Sequence, residues 1–397
     1  MEHILKSSLW FIVFFLGLLL YGSDVVAGAT DREVYDLEQM WRIEGNEDEF
    51  IIGIIDDAVA DEHGRFYMLD HQLSQICVVD QSGGFVGFLG REGEGPGEFV
   101  RPSSIAWWGD GMLAVAQASP GRLTLISTEG VPGGAIHYSR SGERLTTGIQ
   151  RVEPYSDGFI IQASYSMSNG TIINREKQLV RCDRKGQELG IVMEYELTQN
   201  TENFIMDEKL LTPPWAEWVC RENGELIWVD DRDQYSLSIS SSIGSRESFA
   251  HRDYPGWARS DAMVDSLKED WESDVRMYFQ NVKAVIEKAE PVIIKLLRGP
   301  SEQIWVVTSR NHKEKRKDAL IEAEVHGPDG SWLGMAEMLL PEGMAGGELL
   351  ALDWPFALVR FQVDEDDASL PDSTAGNSCV PVYAAFHLRK REAGHKE

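Results

Sequence analysis

Positive charge is scarce in this chain. Against 65 Asp and Glu stand 37 Lys and Arg, a formal net charge of −28 at pH 7. Such a surface repels phosphate backbones and anionic lipid headgroups, which argues against nucleic acid and leaves neutral, cationic or metallic partners. Long apolar runs are scarce as well. The one pronounced stretch, "SLWFIVFFLGLLLYG" from Ser8 to Gly22, falls short of the ~20 residues a membrane-spanning helix needs. Lys6 precedes it and "DVVAGAT" follows, with Ala27 or Ala29 placed just before a cleavage point. Residues 1–28 are therefore expected to be a signal peptide, the mature product periplasmic or secreted, and no stable membrane anchor to remain. No cysteine follows the run, so a lipid-anchored form is not expected.

Cysteine is sparse too, four in 397 residues. Cys77 and Cys182 occupy the same place in two copies of a repeat described below, Cys220 lies in a different strand of another copy, and Cys379 is near the end. Equivalent places in separate units are too far apart to bridge, so buried free thiols are expected. Phosphate-loop chemistry is missing. "GREGEGPGEFVRPSSIAW", Gly90 to Trp107, packs four glycines into eight residues, yet it contains no GK[ST]. Glu98 stands where GxGxxG requires its third glycine, and a strand follows instead of a helix.

What the chain does have is a repeat. A polar turn ending in glycine, then a strand, recurs as "DEHGRFYMLD", "GDGMLAVAQ", "SDGFIIQAS", "ENGELIWVDD" and, without the glycine, "PSEQIWVVTS". A second figure follows, as "ICVVDQSGGFVGFLG", "LTLISTEG", "LVRCDRKGQELG" and "EVHGPDGSWLG". Gly64 to Gly111, Gly111 to Gly158 and Gly83 to Gly130 are each 47 residues apart. Each unit reads as four short strands with Gly, Asp and Ser at the turns, and a four-strand period in the forties is the signature of a propeller blade.

Counting units places blades near 54–100, 103–146, 149–196, 215–249 and 291–338, with a divergent sixth from about 348. That last blade supplies three strands, and "EVYDLEQMWRIEG" at the mature N-terminus is an orphan strand that completes it. The expected fold is all-β: a six-bladed β-propeller over residues 33–392, closed by the N-terminal strand, with one helical insertion at about 259–290 between blades four and five. Gly90 to Pro102 becomes the joint from the rim of blade one to the axis of blade two. Pro96 and Pro102 stiffen it, and Phe99 plugs the gap between sheets.

The same loop carries a resemblance. "GREGEGPGEFVRPSSIA" resembles the inter-blade segment of NHL-type repeats, and the run from Leu37 to Phe99 resembles the start of the bacterial exported six-bladed β-propeller proteins. The resemblance is specific over residues 37–190. It implies a six-bladed ring and no reaction.

Loops sort by face. The turns at Gly64, Gly83, Gly111, Gly130, Gly158, Gly186 and Gly224 are short, whereas the other face collects the insertions from Tyr165, from Glu196, at Arg310 to Asp318 and at Phe249 to Glu290. Elaborated loops on a rigid scaffold are where binding concentrates, so that face is expected to be functional. In the longest insertion Val264, Leu267, Trp271, Val275, Tyr278, Val282 and Val285 step at helical spacing, with Ser260 as N-cap and Pro291 as stop. Trp271 is a candidate ligand-facing residue of a lid. The "RNHKEKRKD" run reads as a solvated hairpin tip and the tryptophans as blade packing.

Inner-strand polar residues are Asp57, Ser104, Arg151, Glu153, Glu217 and Lys295. Asp57, Arg151, Glu217 and Lys295 are candidate channel ligands for a small molecule. The set mixes signs and contains no histidine, and no nucleophile–base pair emerges from spacing, so no catalytic residue, metal or cofactor is assigned. A monomer that binds a protein or small-molecule ligand is expected. The alternative is a metal-dependent hydrolase or lyase with its site in the channel.

Overall fold

The computed structural model describes residues 32–44, 46–47, 50–118, 121–140, 144–145, 148–279, 281–361 and 381–392. The expected signal peptide and Cys379 lie outside them. Strand β1 (Arg32–Glu44) opens the described chain. Blade one is β2 (Ile55–Ala60), β3 (Phe66–Asp70), β4 (Gln75–Val79) and β5 (Phe85–Leu89). Blade two is β6 (Pro102–Gly109), β7 (Met112–Ala118), β8 (Gly121–Ser127) and β9 (Pro132–Ile136). Blade three has longer strands: β10 (Gly148–Tyr155), β11 (Gly158–Ser168), β12 (Ile172–Asp183) and β13 (Glu188–Asn200). Blade four is β14 (Trp218–Cys220), β15 (Leu226–Val229), β16 (Tyr235–Ser240) and β17 (Glu247–Arg252). Blade five is β18 (Ile293–Arg298), β19 (Ile304–Thr308), β20 (Ala319–His326) and β21 (Trp332–Leu339). Blade six is β22 (Glu348–Asp353), β23 (Phe356–Phe361) and β24 (Val382–Lys390), completed at its rim by β1.

Every blade is an antiparallel meander from axis to rim, and the ring closes as the orphan strand required. β1 runs antiparallel along β24, from Tyr35 opposite Lys390 to Glu44 opposite Val382. The rim strands of blades five and six, β21 and β1, also pair edge to edge, so these two blades form one continuous sheet.

Period-two alternation explains the core. In β3, Phe66 and Met68 point to one side of the blade and Tyr67 and Leu69 to the other. The first pair joins a layer against blade six, with Trp41 and Tyr383, and the second joins a layer against blade two, with Phe99, Ile105 and Val115. The same division repeats, giving one apolar layer between each pair of neighbouring blades. Trp215, Trp218, Trp228 and Trp305 are buried in these layers, as packing residues. Phe99 is 1% exposed. A side chain at Gly90, whose φ is +69°, would sit 2.1 Å from the Phe99 ring, which is why the joint needs glycine there. Cys77, Cys182 and Cys220 are buried free thiols.

The long insertion differs from expectation. Helix α1 spans Asp261–Val275, with the Ser260 side chain accepting from the Met263 amide as N-cap. The helix stops there, well short of Pro291. Val282–Val285 is a strand that pairs in parallel with Phe204–Asp207 from the preceding inter-blade connection. The apolar stripe continues through Val282 and Val285, but tertiary pairing overrides the helical spacing. Two other expected loops are also ordered. The insertion from Tyr165 is a continuation of the β11–β12 hairpin, and Ser309–Glu314 of the basic run is helical. Among the described residues no helix is long and apolar enough to cross a membrane.

Candidate functional site

The inner strands reach the axis through a shared irregularity. A register shift falls between Ile55 and Asp57, Pro102 and Ser104, Ile149 and Arg151, Ile293 and Lys295, and Leu349 and Ala351. Bulges re-aim the residue that follows them. Asp57, Ser104, Arg151 and Lys295 thus take equivalent places on four blades, and Ala351 takes the place on blade six. On blade four Glu217 occupies that place just before β14, its carbonyl accepting from the Val229 amide at 3.1 Å.

The channel residues read from sequence therefore share one level of the ring, and they feel one another. Burial pushes the Asp57 carboxyl up to about 6, against the pull of the Ile105 amide, Ser104 and Arg151. Burial likewise raises Glu217, while Arg151 and Lys295 act the other way. The Lys295 ammonium is pushed down by burial and drawn back chiefly by Glu217 and Glu348. Two acids and two bases thus balance at the axis. Below them, toward the short turns, Glu153 and Asp353 flank Arg298. The guanidinium is held above its ordinary value, mainly by Glu153. Arg298 itself is solvent-exposed.

Each of these groups also has a partner on the next blade, which sequence could not reveal. Asp57 accepts from the Ile105 amide at 3.0 Å, joining blades one and two. Ser103 donates to the Ile149 carbonyl at 2.6 Å. Glu153 accepts from the Cys220 amide at 2.8 Å and Glu217 from the Leu296 amide at 3.4 Å. Lys295 donates to the Leu349 carbonyl at 2.8 Å, and Asp353 accepts from the Ala60 amide at 2.8 Å. At least one side-chain-to-backbone bond thus crosses every junction of the ring. Arg151 is held in a different way. It bonds Glu153, donates to the Trp218 carbonyl at 2.8 Å, and stacks 4.4 Å from the Trp218 ring centroid.

The insertion-bearing face is built by a second constellation. Glu208, in the blade three to four connection, bonds Arg232 at 2.6 Å and Arg259 at 2.8 Å, and accepts from the Glu287 amide at 2.8 Å. The three side chains are only 12%, 11% and 9% exposed. Arg259 also donates to the Glu287 carbonyl at 3.1 Å and Arg232 to the Ala289 carbonyl at 3.0 Å. These charges hold the Glu208 fold against the β15–β16 turn of blade four and the long insertion. Burial drives Glu208 up, and its arginines and the Glu287 amide outweigh that, leaving it below the usual carboxylate range. Two lysines of the basic run are bonded within the fold as well. Lys313 bonds Glu290 at 3.2 Å and lies over Trp257, and Lys315 donates to the Leu320 carbonyl at 2.6 Å. Tyr254 donates to Asn311 at 2.8 Å.

Together the pieces form one cap. Its outer surface exposes Met277, Tyr278, Ile205, Leu210 and Met263. Trp271 sits with Val264, Leu267 and Val275 on the half-buried stripe of α1, the side turned to Val282–Val285, and not among the channel groups. A cavity of about 310 Å³ lies elsewhere, at the far end of blade three, lined by Tyr165, Met167, Glu176, Glu196 and Thr198 among others. Glu176, Glu194 and Glu196 converge there within 4.8 Å, and the Gln178 amide donates to Glu176 and, at 2.7 Å, to Glu194.

Comparison with known proteins agrees with the ring. Residues 45–107 match the model of a family described as a 6-bladed beta-propeller, as the resemblance over Leu37 to Phe99 implies. The structure is similar to a candidate exported protein of Bacteroides fragilis, at 11% identity and a TM-score of 0.45, covering 93% of this chain and 98% of that one. A Bacteroides vulgatus protein gives 11% identity, a TM-score of 0.45, and coverage of 90% and 99%. A gluconolactonase of Xanthomonas campestris gives 9% identity, a TM-score of 0.40, and coverage of 84% and 88%. No curated protein matches the chain.

Proposed function

We propose that this six-bladed propeller is an exported, non-catalytic binding or scaffold protein that takes a protein ligand on its insertion-bearing face. Export rests on Lys6, the apolar run from Ser8 to Gly22 and the small residues after it. The observation that carries the binding reading is the cap. Two insertions from separate inter-blade connections are locked together through Glu208, and the locked unit exposes Met277 at 79% and Tyr278 at 73%. Rigid support beneath exposed apolar side chains is what an anchor residue at a protein interface requires.

The channel is the weaker docking surface, because its acids and bases are bonded to neighbouring blades and balance one another. Cross-linking of the mature protein in envelope extract, followed by mass spectrometry, tests the reading. One partner should dominate, and its cross-link should vanish in Met277→Glu/Tyr278→Glu while the melting curve is kept. An undiminished cross-link in that variant overturns the cap as the docking face.

A second reading, a metal-dependent hydrolase or lyase in the channel, is favoured by one observation. Asp57 titrates near 6 on the same level of the ring as Glu217, where general acid–base chemistry would be poised. It requires a divalent ion near stoichiometric amount in the purified protein, lost on Asp57→Ala or Glu217→Ala.

A further inference from the structure

Met277 is the most exposed methionine among the described residues, at 79%. Met167 follows at 49% and Met263 at 37%, while Met68 and Met338, inside the blades, are fully buried. The surrounding chain fixes that exposure. Past the end of α1 the Tyr278 and Phe279 amides donate to the Val275 carbonyl at 2.9 and 3.1 Å, closing a tight turn. Phe279 then stacks on the buried Phe204 ring, with centroids 3.9 Å apart and planes 3° from parallel, and Asn281 donates to the Glu202 carbonyl at 2.9 Å. The turn is thus tied both to α1 and to the connection between blades three and four, and it holds the Met277 thioether out in water.

A thioether so placed is the first that a small oxidant meets, since access governs which sulfur in a folded chain reacts. We propose that Met277 is a reversible oxidation site whose co-reactant is a peroxide, and that its sulfoxide switches off docking on the cap. The sulfur lone pair attacks one oxygen of hydrogen peroxide, and an S–O bond forms as the O–O bond breaks. The proton on the transferred oxygen passes to the departing one, which leaves as water; sulfur loses two electrons and peroxide gains them. Two thiols reverse the step, becoming a disulfide while the sulfoxide oxygen leaves as water. The sulfoxide puts a strong acceptor where an apolar tip stood, and seating it against an apolar partner surface strips its water without replacing the hydrogen bond. The switch rests on the reading of the cap as a protein-binding face, whereas the oxidation site does not.

The test treats the mature full chain with dilute hydrogen peroxide and follows each methionine by peptide mass spectrometry. Met277 should gain one oxygen at least tenfold faster than Met68 and Met338, and ahead of Met167 and Met263. Equal rates at Met277 and Met68 in protein with an unchanged melting curve overturn the site. Docking is read separately, by quenching the treated protein and cross-linking it in envelope extract. The cross-link should fall at least tenfold as Met277 is converted and while Met263 is still reduced, and should return after treatment with a methionine sulfoxide reductase and dithiothreitol. Met277→Gln, whose amide stands in for the sulfoxide, should show the weakened cross-link without peroxide. An undiminished cross-link at full conversion of Met277 overturns the switch and leaves the oxidation site standing. If untreated protein captures no partner, the switch falls with the docking reading, and the order of oxidation alone decides the site.

Discussion

Asp353 at the end of blade six's inner strand accepts a hydrogen bond from the Ala60 amide of blade one at 2.8 Å. Glu153 and Cys220 repeat the relationship between blades three and four at the same distance. Strands of neighbouring blades are too splayed to form ladders, so their facing amides need acceptors from side chains. The polar residues at the axis hold the ring together before they hold anything else.

Truncating one of them should therefore cost stability. Asp353→Ala strands the buried Ala60 amide and removes a charge beside Arg298, and is expected to lower the free energy of unfolding by about 1–3 kcal/mol. Ser103→Ala at another junction removes a neutral bond, and about 1 kcal/mol or less is expected. Urea unfolding read by tryptophan fluorescence checks both. Values near zero for Asp353→Ala would mean the junctions are held by apolar packing alone.

The channel also gives stability a pH dependence with a definite sign. Asp57 titrates near 6 in the fold against 3.8 when unperturbed. A raised pKa favours the protonated folded form, so this contribution is complete below about 3.8 and is lost as pH rises through about 6. Glu217 and Asp353, both raised chiefly by burial, act in the same direction. Asp57→Asn removes one titrating group. Its urea midpoint should gain less than the wild type's on moving from pH 7 to pH 4.5.

His326 works against that trend. It is 1% exposed on β20, and its Nδ1–H donates to the Gly330 carbonyl at 2.9 Å, leaving Nε2 to accept from the Tyr235 hydroxyl at 2.7 Å. Both bonds suit the neutral ring, and burial lowers its pKa below 6.5. A lowered histidine pKa gives stability that is present above 6.5 and is lost as pH falls through the folded value. His326→Gln should flatten this acid loss while being less stable than wild type at pH 7.5, as urea midpoints measured across pH 7.5 to 5 would show.

Glu208 tests whether the cap is one unit. Removing one partner of a buried ionic cluster leaves charges uncompensated and typically costs 3–5 kcal/mol. Here the strain falls on loops, so Glu208→Ala is expected to open the cap while the blades persist. Hydrogen exchange should quicken over 204–211 and 257–290 and remain slow in β3, β7 and β11. Simultaneous acceleration in the blades would show that cap and ring unfold together.

How much of this could be read from the chain alone follows from where the determinants lie. Blade number, order and closure were legible because most of the short turns need a glycine with positive φ, as at Gly64, Gly83, Gly111 and Gly130, and those glycines keep the period. The polar axial residues were legible as a set, since alternation puts them on inner strands. Their partners were not, because an acceptor such as Asp57 meets the Ile105 backbone, and backbone carries no sequence signal. Val282 and Val285 were misread as helix for a related reason. Their strand exists through Phe204–Asp207, a pairing fixed by two connections far apart in the chain, with no local mark. The same holds for the cap, whose charges meet only once blades three, four and five stand side by side.

Closure supplies the last prediction. β1 brings Tyr35, Leu37, Trp41 and Ile43, all buried, to the rim of blade six, and it alone covers the outer edge of β24. Trp41 lies in the layer between blades six and one, meeting Phe66 edge-on at 5.5 Å. Trp41→Ala leaves a large void in a layer shared by two blades, and about 3–5 kcal/mol of lost stability is expected. Deleting residues 32–44 goes further. It bares β24, whose Phe386 and Ala384 are fully buried, and also uncovers β21 of blade five. Two long apolar edges on one molecule should drive association, so the truncated chain is expected to elute from size-exclusion chromatography as large assemblies. A monomeric, cooperatively melting truncation would show that the other twenty-three blade strands close the ring without it.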